Sequence, residues 1–180
     1  MTNEEQSSRK SLVRRIVLTG FMGSGKSTVG PLVAKKLGWR FVDVDHRIEA
    51  EAGMPISEMF TRFGEGAFRE RERKTIARLA SEEALVLALG GGAIEDEATR
   101  ELLLNQDGTL LVHLAVELET TLARCAGTEG SRPVLADTAN LRARYNRRLP
   151  LYQMAHVSIV VDALSPDEAA DAIRTAAGLV

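Results

Sequence analysis

A glycine-rich segment near the start of the chain has the clearest chemical meaning. The stretch from Gly20 to Ser27 matches the pattern G-x-x-x-x-G-K-[S/T] in full, and it lies between an apolar run and a helical pattern. Glycines let backbone N–H groups gather around phosphate oxygens, and a helix N-terminus adds positive charge. Lys26 supplies a cation for the β- and γ-phosphates, and the Ser27 hydroxyl is a ligand for Mg²⁺. These features predict a nucleoside triphosphate site lined by Gly23, Ser24, Gly25, Lys26, Ser27 and Thr28. A glycine-rich turn without a ligand is the alternative.

Two carboxylates, Asp43 and Asp45, follow the next apolar run. Alternation along a strand would place both side chains on one face. Asp43, nearer the sheet, could hold Mg²⁺ through a bound water, and Asp45 could accept a proton from a substrate hydroxyl. The alternative is a solvated turn in which an aspartate caps the helix predicted at 47–52. These two residues alone favour neither interpretation.

Three glycines, at positions 90 to 92, end a run that is apolar throughout. They indicate that something bulky lies directly on the backbone, and a rigid ring would fit, as would other ligands. A bare tight turn is the alternative. The run does not end in the aspartate with which many ATPases support Mg²⁺, and the chain has no N-K-x-D segment of the kind that reads guanine in signalling GTPases.

The glycine-rich loop, the two aspartates and the three glycines are positioned by strands that alternate with helices. Apolar runs predict five strands, at 16–19, 40–44, 84–89, 109–114 and 157–161. Periodic stretches predict the main helices between and after them, at 27–37, 66–83, 94–104, 117–124, 139–149 and 166–177. This alternation predicts an α/β fold with a parallel sheet covered by helices on both faces. Ligands of such folds bind beyond the carboxyl ends of the strands, where the three segments above lie.

Composition excludes several classes of protein. The chain has 180 residues, with 23 Lys and Arg against 25 Asp and Glu, for a net charge of −2. This balance gives no electrostatic footprint for nucleic acid, and no stretch approaches the ~18 apolar residues of a membrane helix. A single cysteine, Cys125, excludes a disulfide framework and a cysteine-based zinc site. We expect a cytoplasmic protein with a disordered tail at 1–13 and a single domain at 14–180.

The motifs together resemble those of the shikimate kinases, from the glycine-rich loop through to Tyr152. The matching pieces, in the family's order and spacing, are G-F-M-G-S-G-K-S-T, F-V-D-V-D-x-x-I-E, G-E-x-x-F-R-x-x-E, L-G-G-G-A, R-P and R-R-L-P-L-Y. The resemblance implies a three-layer α/β/α P-loop kinase with a five-stranded parallel sheet, similar to the nucleoside-monophosphate kinases. It implies transfer of the ATP γ-phosphate to the 3-hydroxyl of shikimate, with Mg²⁺ as cofactor. We expect a monomer.

The resemblance also implies a role for each residue around the acceptor. Asp45 would hydrogen-bond the ring hydroxyls and accept the proton of the attacking one. Arg69 and Arg148 would bind the shikimate carboxylate, because forked guanidinium donors match its two oxygens. Glu72 would sit behind Arg69 and hold its orientation. The glycines Gly90, Gly91 and Gly92 would let the ring lie against the backbone.

Further implied roles concern the nucleotide. Lys26 and Arg132 would supply catalytic positive charge, with Arg132 reaching the transferring phosphate from a mobile flap. Arg124 and the turn at 162–166 would contribute to the adenine pocket. Cys125 stands where many members of the family have a second arginine near the adenine. Two parts of the domain would move, a shikimate-binding subdomain and a lid, at about 46–75 and 122–136.

Other functions share part of this pattern. A kinase for another polyol, such as gluconate, would share the phosphate loop but would not need two carboxylate-facing arginines together with L-G-G-G. A nucleoside-monophosphate kinase would need a denser set of arginines around its lid. From a different class, the chain could be a nucleotide-binding switch or an inactive kinase-like module. The switch lacks its base-reading motif here, and an inactive module would be expected to have lost Lys26, Asp45 or Arg132.

Overall fold

The structure is a computed structural model and describes residues 12–125 and 138–179. Strands and helices alternate along the chain. In order they are β1 (Arg15–Thr19), α1 (Lys26–Leu37), β2 (Arg40–Asp43), α2 (Val44–Ala52), α3 (Ile56–Leu79), β3 (Leu85–Ala88), a short 3-10 helix (Ala93–Glu95), α4 (Glu97–Asn105), β4 (Thr109–Ala115), α5 (Leu118–Cys125), α6 (Thr138–Tyr152), β5 (Val157–Val160) and α7 (Pro166–Ala177). Most of the predicted tail and lid, including Arg132, lies outside the described residues.

The five strands form one parallel sheet in the order β2-β3-β1-β4-β5. The prediction of a five-stranded parallel sheet with helices on both sides is therefore confirmed. All residues of β1 and β3 are buried, which explains why these strands are almost continuously apolar. The helix α1 packs against β3 and α7, and α4 packs against β4.

The strand order places the carboxyl end of β1 between those of β3 and β4. Strand β1 pairs with β3 on one side and with β4 on the other, so the chain changes direction of travel across the sheet at this point. Crevices in open α/β sheets form at such a switch in strand order. The loops that follow β1, β2 and β3 therefore meet at one edge of the sheet.

Several helix boundaries differ from the prediction. The structure adds a helical segment from Ile56, which the backbone at Gly64, with φ 81° and ψ 165°, separates from the helix predicted at 66–83, and that helix ends at Leu79. The helix predicted at 94–104 is divided by Asp96, whose carboxylate accepts from the Thr99 backbone N–H at 2.9 Å and so begins α4 at Glu97.

Local signals set the end of α1 and the start of α7. Gly38 ends α1 in the left-handed conformation, with φ 67°. At the start of α7 the Ser165 N–H donates to the Glu168 carboxylate at 2.8 Å, and the Glu168 N–H donates to the Ser165 hydroxyl at 3.2 Å. This reciprocal pair is a capping box. Within the described ranges, every helix is too short or too polar to span a bilayer.

Candidate active site

The loop between β1 and α1 surrounds the ammonium group of Lys26. Its Nζ donates to the backbone oxygens of Gly20 and Phe21 at 2.7 and 3.1 Å and to the Ser24 hydroxyl at 3.3 Å. Gly25 stands immediately before α1 with φ 93°, a conformation that glycine adopts without strain. Lys26 is the first residue of α1, whose first turn carries no acidic residue. Its ammonium group and the positive end of the helix dipole thus lie together, as an anion site requires.

Asp43 uses its two carboxylate oxygens for different purposes. Oδ2 accepts a hydrogen bond from the Ser27 hydroxyl at 2.9 Å, which joins the end of β2 to the start of α1. Oδ1 accepts from the backbone N–H groups of Asp45 and His46, at 3.0 and 3.3 Å, and caps α2. Asp43 is therefore a helix cap, which is one of the two interpretations that the sequence left open, and it also contacts Ser27. The other interpretation, a role toward Mg²⁺, stays a prediction.

Asp45 does not share a strand face with Asp43, and that prediction is wrong. Strand β2 ends at Asp43, and Asp45 lies in the first turn of α2. The physical reason is the cap itself, because the Asp43 side chain satisfies the first N–H groups of a helix that starts at Val44. The change of element still leaves Asp45 on the wall of the same cleft as Lys26.

The glycine loop that follows β3 is in close contact with the site's charged side chains. A Cβ on Gly90 would lie 2.7 Å from Asp45 Oδ1 and 3.0 Å from Glu72 Oε1. A Cβ on Gly92 would lie 2.6 Å from an Arg69 terminal nitrogen. Real Cβ atoms do not approach other atoms so closely, so these positions accept only glycine without movement of their neighbours. The glycines thus make room for the protein's own side chains.

Two carboxylate oxygens at this loop lack hydrogen-bond donors among the described residues. They are Asp45 Oδ1 and Glu72 Oε1, both inaccessible to solvent. Burial raises the pKa of Asp45, and the nearby charge of Asp43 raises it further, while Lys26 and Arg69 lower it. Burial likewise raises the pKa of Glu72, although Arg69 opposes this. Asp45 therefore has a proton affinity above that of an ordinary aspartate.

Arg69 and Arg148 reach the glycine loop from two different helices. Arg69, on α3, donates to Glu72 Oε2 at 2.7 Å, so Glu72 holds the guanidinium as expected. Arg148, on α6, is 8% exposed, and its Nη1 lies 3.4 Å from the Cβ position of Gly91. The Arg148 Nε donates to Glu95, which lies in the 3-10 helix directly after the glycines. Each guanidinium is thus oriented by its own carboxylate.

Apolar side chains line the end of the cleft at the glycine loop, which we call the acceptor end. Ile56, Phe60 and Phe68 line a small pocket together with Asp45, Arg69, Glu72 and the three glycines. The Phe60 and Phe68 rings meet edge to face with centroids 5.0 Å apart. Sequence reasoning missed Ile56 and Phe60, and no local signal separates them from ordinary core residues of a helix.

The whole cleft has a volume of about 870 Å³. Its other end is lined by the P-loop and by the residues predicted to contact adenine. Arg124 donates from Nη1 to the Gly23 backbone oxygen at 3.1 Å and from Nη2 to the Val161 oxygen at 3.0 Å. It therefore joins the phosphate loop to the end of β5. Leu164 and Pro166, both in the turn at 162–166, add apolar surface. The side chain of Cys125 lies outside what the structure describes.

Comparisons with known proteins identify the family. The family model described as shikimate kinase matches residues 22–177. The chain belongs to the shikimate kinase family. It is accordingly an ATP-dependent kinase, as the sequence predicted. The shikimate kinase of Moorella thermoacetica is 44% identical over 149 residues, which cover 82% of this chain and 84% of that protein. That of Paramagnetospirillum magneticum is 44% identical over 170 residues, which cover 93% and 85%.

Solved structures agree with this family membership. Shikimate kinase from Acinetobacter baumannii in complex with shikimate has a TM-score of 0.84 and 36% sequence identity, and the match covers 94% of this chain and 96% of that one. A sugar kinase from Janibacter sp. has a TM-score of 0.54 at 20% identity, which shows a shared fold alone. The fold is therefore that of P-loop kinases, and the stronger similarity is to shikimate kinases.

Gly90→Ala tests the close approach at the glycine loop. The added methyl group would displace Asp45 or Glu72, so we expect kcat/KM for the acceptor to fall roughly 10- to 100-fold, as a small misplacement of a reacting group does. Gly66→Ala is the matched control, since Gly66 lies on α3 with no atom within 4 Å of its Cβ position. Steady-state kinetics should show no comparable loss for Gly66→Ala, and equal rates for Gly90→Ala and wild type would contradict the close approach.

Proposed function

We propose that the chain transfers the γ-phosphate of ATP to the 3-hydroxyl of shikimate. The observation that carries this proposal is the convergence of Asp45, Arg69 and Arg148 on one glycine loop, at one end of a cleft whose other end is the P-loop. Two guanidinium groups suit a carboxylate, the Asp45 carboxylate suits a hydroxyl, and the apolar wall suits a ring. The A. baumannii relative, which has shikimate bound, supports the same acceptor.

Asp45 is proposed as the general base. The Asp45 side chain lies on the wall of the cleft, where a substrate hydroxyl can donate to its carboxylate. As the hydroxyl oxygen attacks phosphorus, its proton passes to this carboxylate. The raised pKa favours the transfer, because a general base works best when its proton affinity approaches the working pH.

Arg69 and Arg148 are proposed to bind the shikimate carboxylate. A planar guanidinium offers paired N–H donors that match two carboxylate oxygens. Glu72 and Glu95 already orient these arginines. Two oriented guanidinium groups would hold the acid in one orientation and so place the ring hydroxyl relative to Asp45.

The P-loop is proposed to bind the phosphates of ATP. Lys26 and the first N–H groups of α1 supply positive charge where the terminal phosphate must lie. Arg124, with the turn at 162–166, is proposed to contact adenine. Arg132 is proposed to approach the transferring phosphate, on the strength of the family resemblance, since it lies outside the described residues.

Ser27 and Asp43 are proposed to hold Mg²⁺, Ser27 directly and Asp43 through water. Hydroxyl and carboxylate oxygens are the ligands that Mg²⁺ prefers, and the 2.9 Å contact between the two residues shows that they already face each other. When bound, Mg²⁺ neutralises charge on the β- and γ-phosphate oxygens. The cytoplasmic location, the monomeric state, the lid and the mobile subdomain stay predictions.

The acceptor can be identified by measuring ADP release with shikimate, gluconate, a nucleoside monophosphate or no acceptor. We expect ADP to form with shikimate in equal amount to shikimate 3-phosphate, because the acceptor end of the cleft suits a ring acid. Lys26→Ala should lose ADP release with every acceptor. Preference for gluconate or the nucleoside monophosphate would assign another kinase activity, and release without any acceptor would contradict positioned transfer.

Asp45→Asn should reduce kcat by roughly 10²- to 10⁴-fold, since it removes the proton acceptor and keeps the shape. Protonation inactivates a base, so wild-type kcat should fall with decreasing pH through the raised pKa of Asp45, and the variant should lack this limb. Asp43→Asn provides the contrast, because it should raise the Mg²⁺ concentration needed for half-maximal rate. Near-normal turnover by Asp45→Asn would exclude it as the base.

Arg148→Ala should weaken shikimate binding by about 2–5 kcal/mol, the usual cost of truncating one member of a buried charge pair. Arg147→Ala is a closely matched control, because the neighbouring Arg147 binds the same Glu95 at 3.2 Å but has a side chain that is 62% exposed. Arg147→Ala should weaken shikimate binding by less than about 1 kcal/mol. Titration calorimetry measures the shikimate affinity of both variants. Equal weakening in the two would contradict the proposed contact between Arg148 and the carboxylate.

A further inference from the structure

Both tyrosines of the chain lie on α6, and each donates its hydroxyl to a backbone oxygen. Tyr152 donates to Gly91 at 2.7 Å, within the glycine loop. Tyr145 donates to Val116 at 2.8 Å, just beyond β4. The two bonds are chemically alike, yet only the first ends at the proposed acceptor site.

Tyr152 is held rigidly in the interior. It is 1% exposed, and its ring stacks on that of His113, a residue of β4, with centroids 5.3 Å apart and an angle of 21° between the planes. Burial raises the pKa of Tyr152 to about 12 and lowers that of His113 to about 4. Near neutral pH the phenol therefore stays protonated as a donor, and the imidazole beside it stays uncharged.

The hydrogen bond from Tyr152 to Gly91 fixes the orientation of the peptide group between Gly91 and Gly92. The carbonyl of Gly91 and the N–H of Gly92 belong to the same trans peptide, and in a trans peptide the two point in opposite directions. In the described part of the chain this N–H has no protein acceptor. Since Tyr152 holds the carbonyl, it also aims the unpaired N–H away from itself, which leaves that donor available to a ligand on the other side of the loop.

The same residue also sets the position of Arg148. Arg148 and Tyr152 are four residues apart on α6 and so lie on one face of the helix. Both approach Gly91, since its Cβ position is 3.4 Å from Arg148 Nη1 and 3.7 Å from the Tyr152 hydroxyl oxygen. The hydroxyl thus ties this face of the helix to the loop at the level of the guanidinium.

We propose that Tyr152 is a positioning residue for the ring acid: its hydroxyl fixes the Gly91–Gly92 peptide and the spacing between the glycine loop and Arg148. It does not touch the reacting atoms. This inference rests on the proposed function, because the acceptor it positions is the shikimate proposed above. Its effect should appear in acceptor binding and leave nucleotide binding unchanged.

The test compares Tyr152→Phe with Tyr145→Phe in the full chain. Each variant keeps its ring and loses one hydroxyl bond to a backbone oxygen, so both should lose a similar, small amount of thermal stability. We expect the shikimate Kd from titration calorimetry to rise roughly 5- to 20-fold in Tyr152→Phe only. The KM for ATP should change less than about twofold in both. Amide exchange in the 89–95 segment should increase in Tyr152→Phe alone.

The remaining outcomes separate this inference from the proposed function. Wild-type protein that binds shikimate, with the same Kd in Tyr152→Phe, would overturn the positioning role and leave the proposed function standing. Equal weakening of shikimate binding in both tyrosine variants would show general loosening of α6 and would also overturn it. Wild-type protein that does not bind shikimate would refute the proposed function, and the inference with it.

Discussion

The structure depends on the close approach of charged side chains to a loop of three glycines, which have no Cβ atoms. Asp45, Arg69 and Arg148 come from three helices and press on the loop from Gly90 to Gly92. Buried charges are costly unless they are paired, and here Glu72 and Glu95 pair with the two arginines. Asp45 Oδ1 is left without a donor. In the proposed function a substrate hydroxyl donates to the Asp45 carboxylate, so a buried acidic group that is costly to the fold would contribute to binding specificity.

The two ends of the cleft share one electrostatic field. Lys26 belongs to the phosphate loop, yet its charge lowers the pKa of Asp45 at the acceptor end. Asp43 has the opposite effect on Asp45, while its carboxylate also caps α2 and accepts from Ser27. A single aspartate therefore links the start of α1, the start of α2 and the proton affinity of the proposed base. Removal of one of these groups would therefore change the electrostatics at both ends of the cleft.

Much of this site could be predicted from local sequence. The P-loop was recognisable because its chemistry depends on consecutive residues, and the central strands were recognisable because both of their faces are largely buried. The resemblance to shikimate kinases supplied Asp45, Arg69, Arg148 and the glycines as candidates, and the structure brings them together. The strand assignment of Asp45 failed because a side-chain cap started α2 early. Arg132 lies outside the described residues, so its role stays a prediction.

The sequence by itself determined which chemical groups are present and roughly where strands end. Only the tertiary structure decided which contacts orient these groups. The Tyr152 hydroxyl meets Gly91 across 61 residues of chain, and Glu95 meets Arg148 across 53. The apolar wall of Ile56 and Phe60 was likewise indistinguishable from core in the sequence. Periodicity and short motifs report on neighbours along the chain, whereas these contacts depend on how separate helices pack against one sheet edge, which no local pattern encodes.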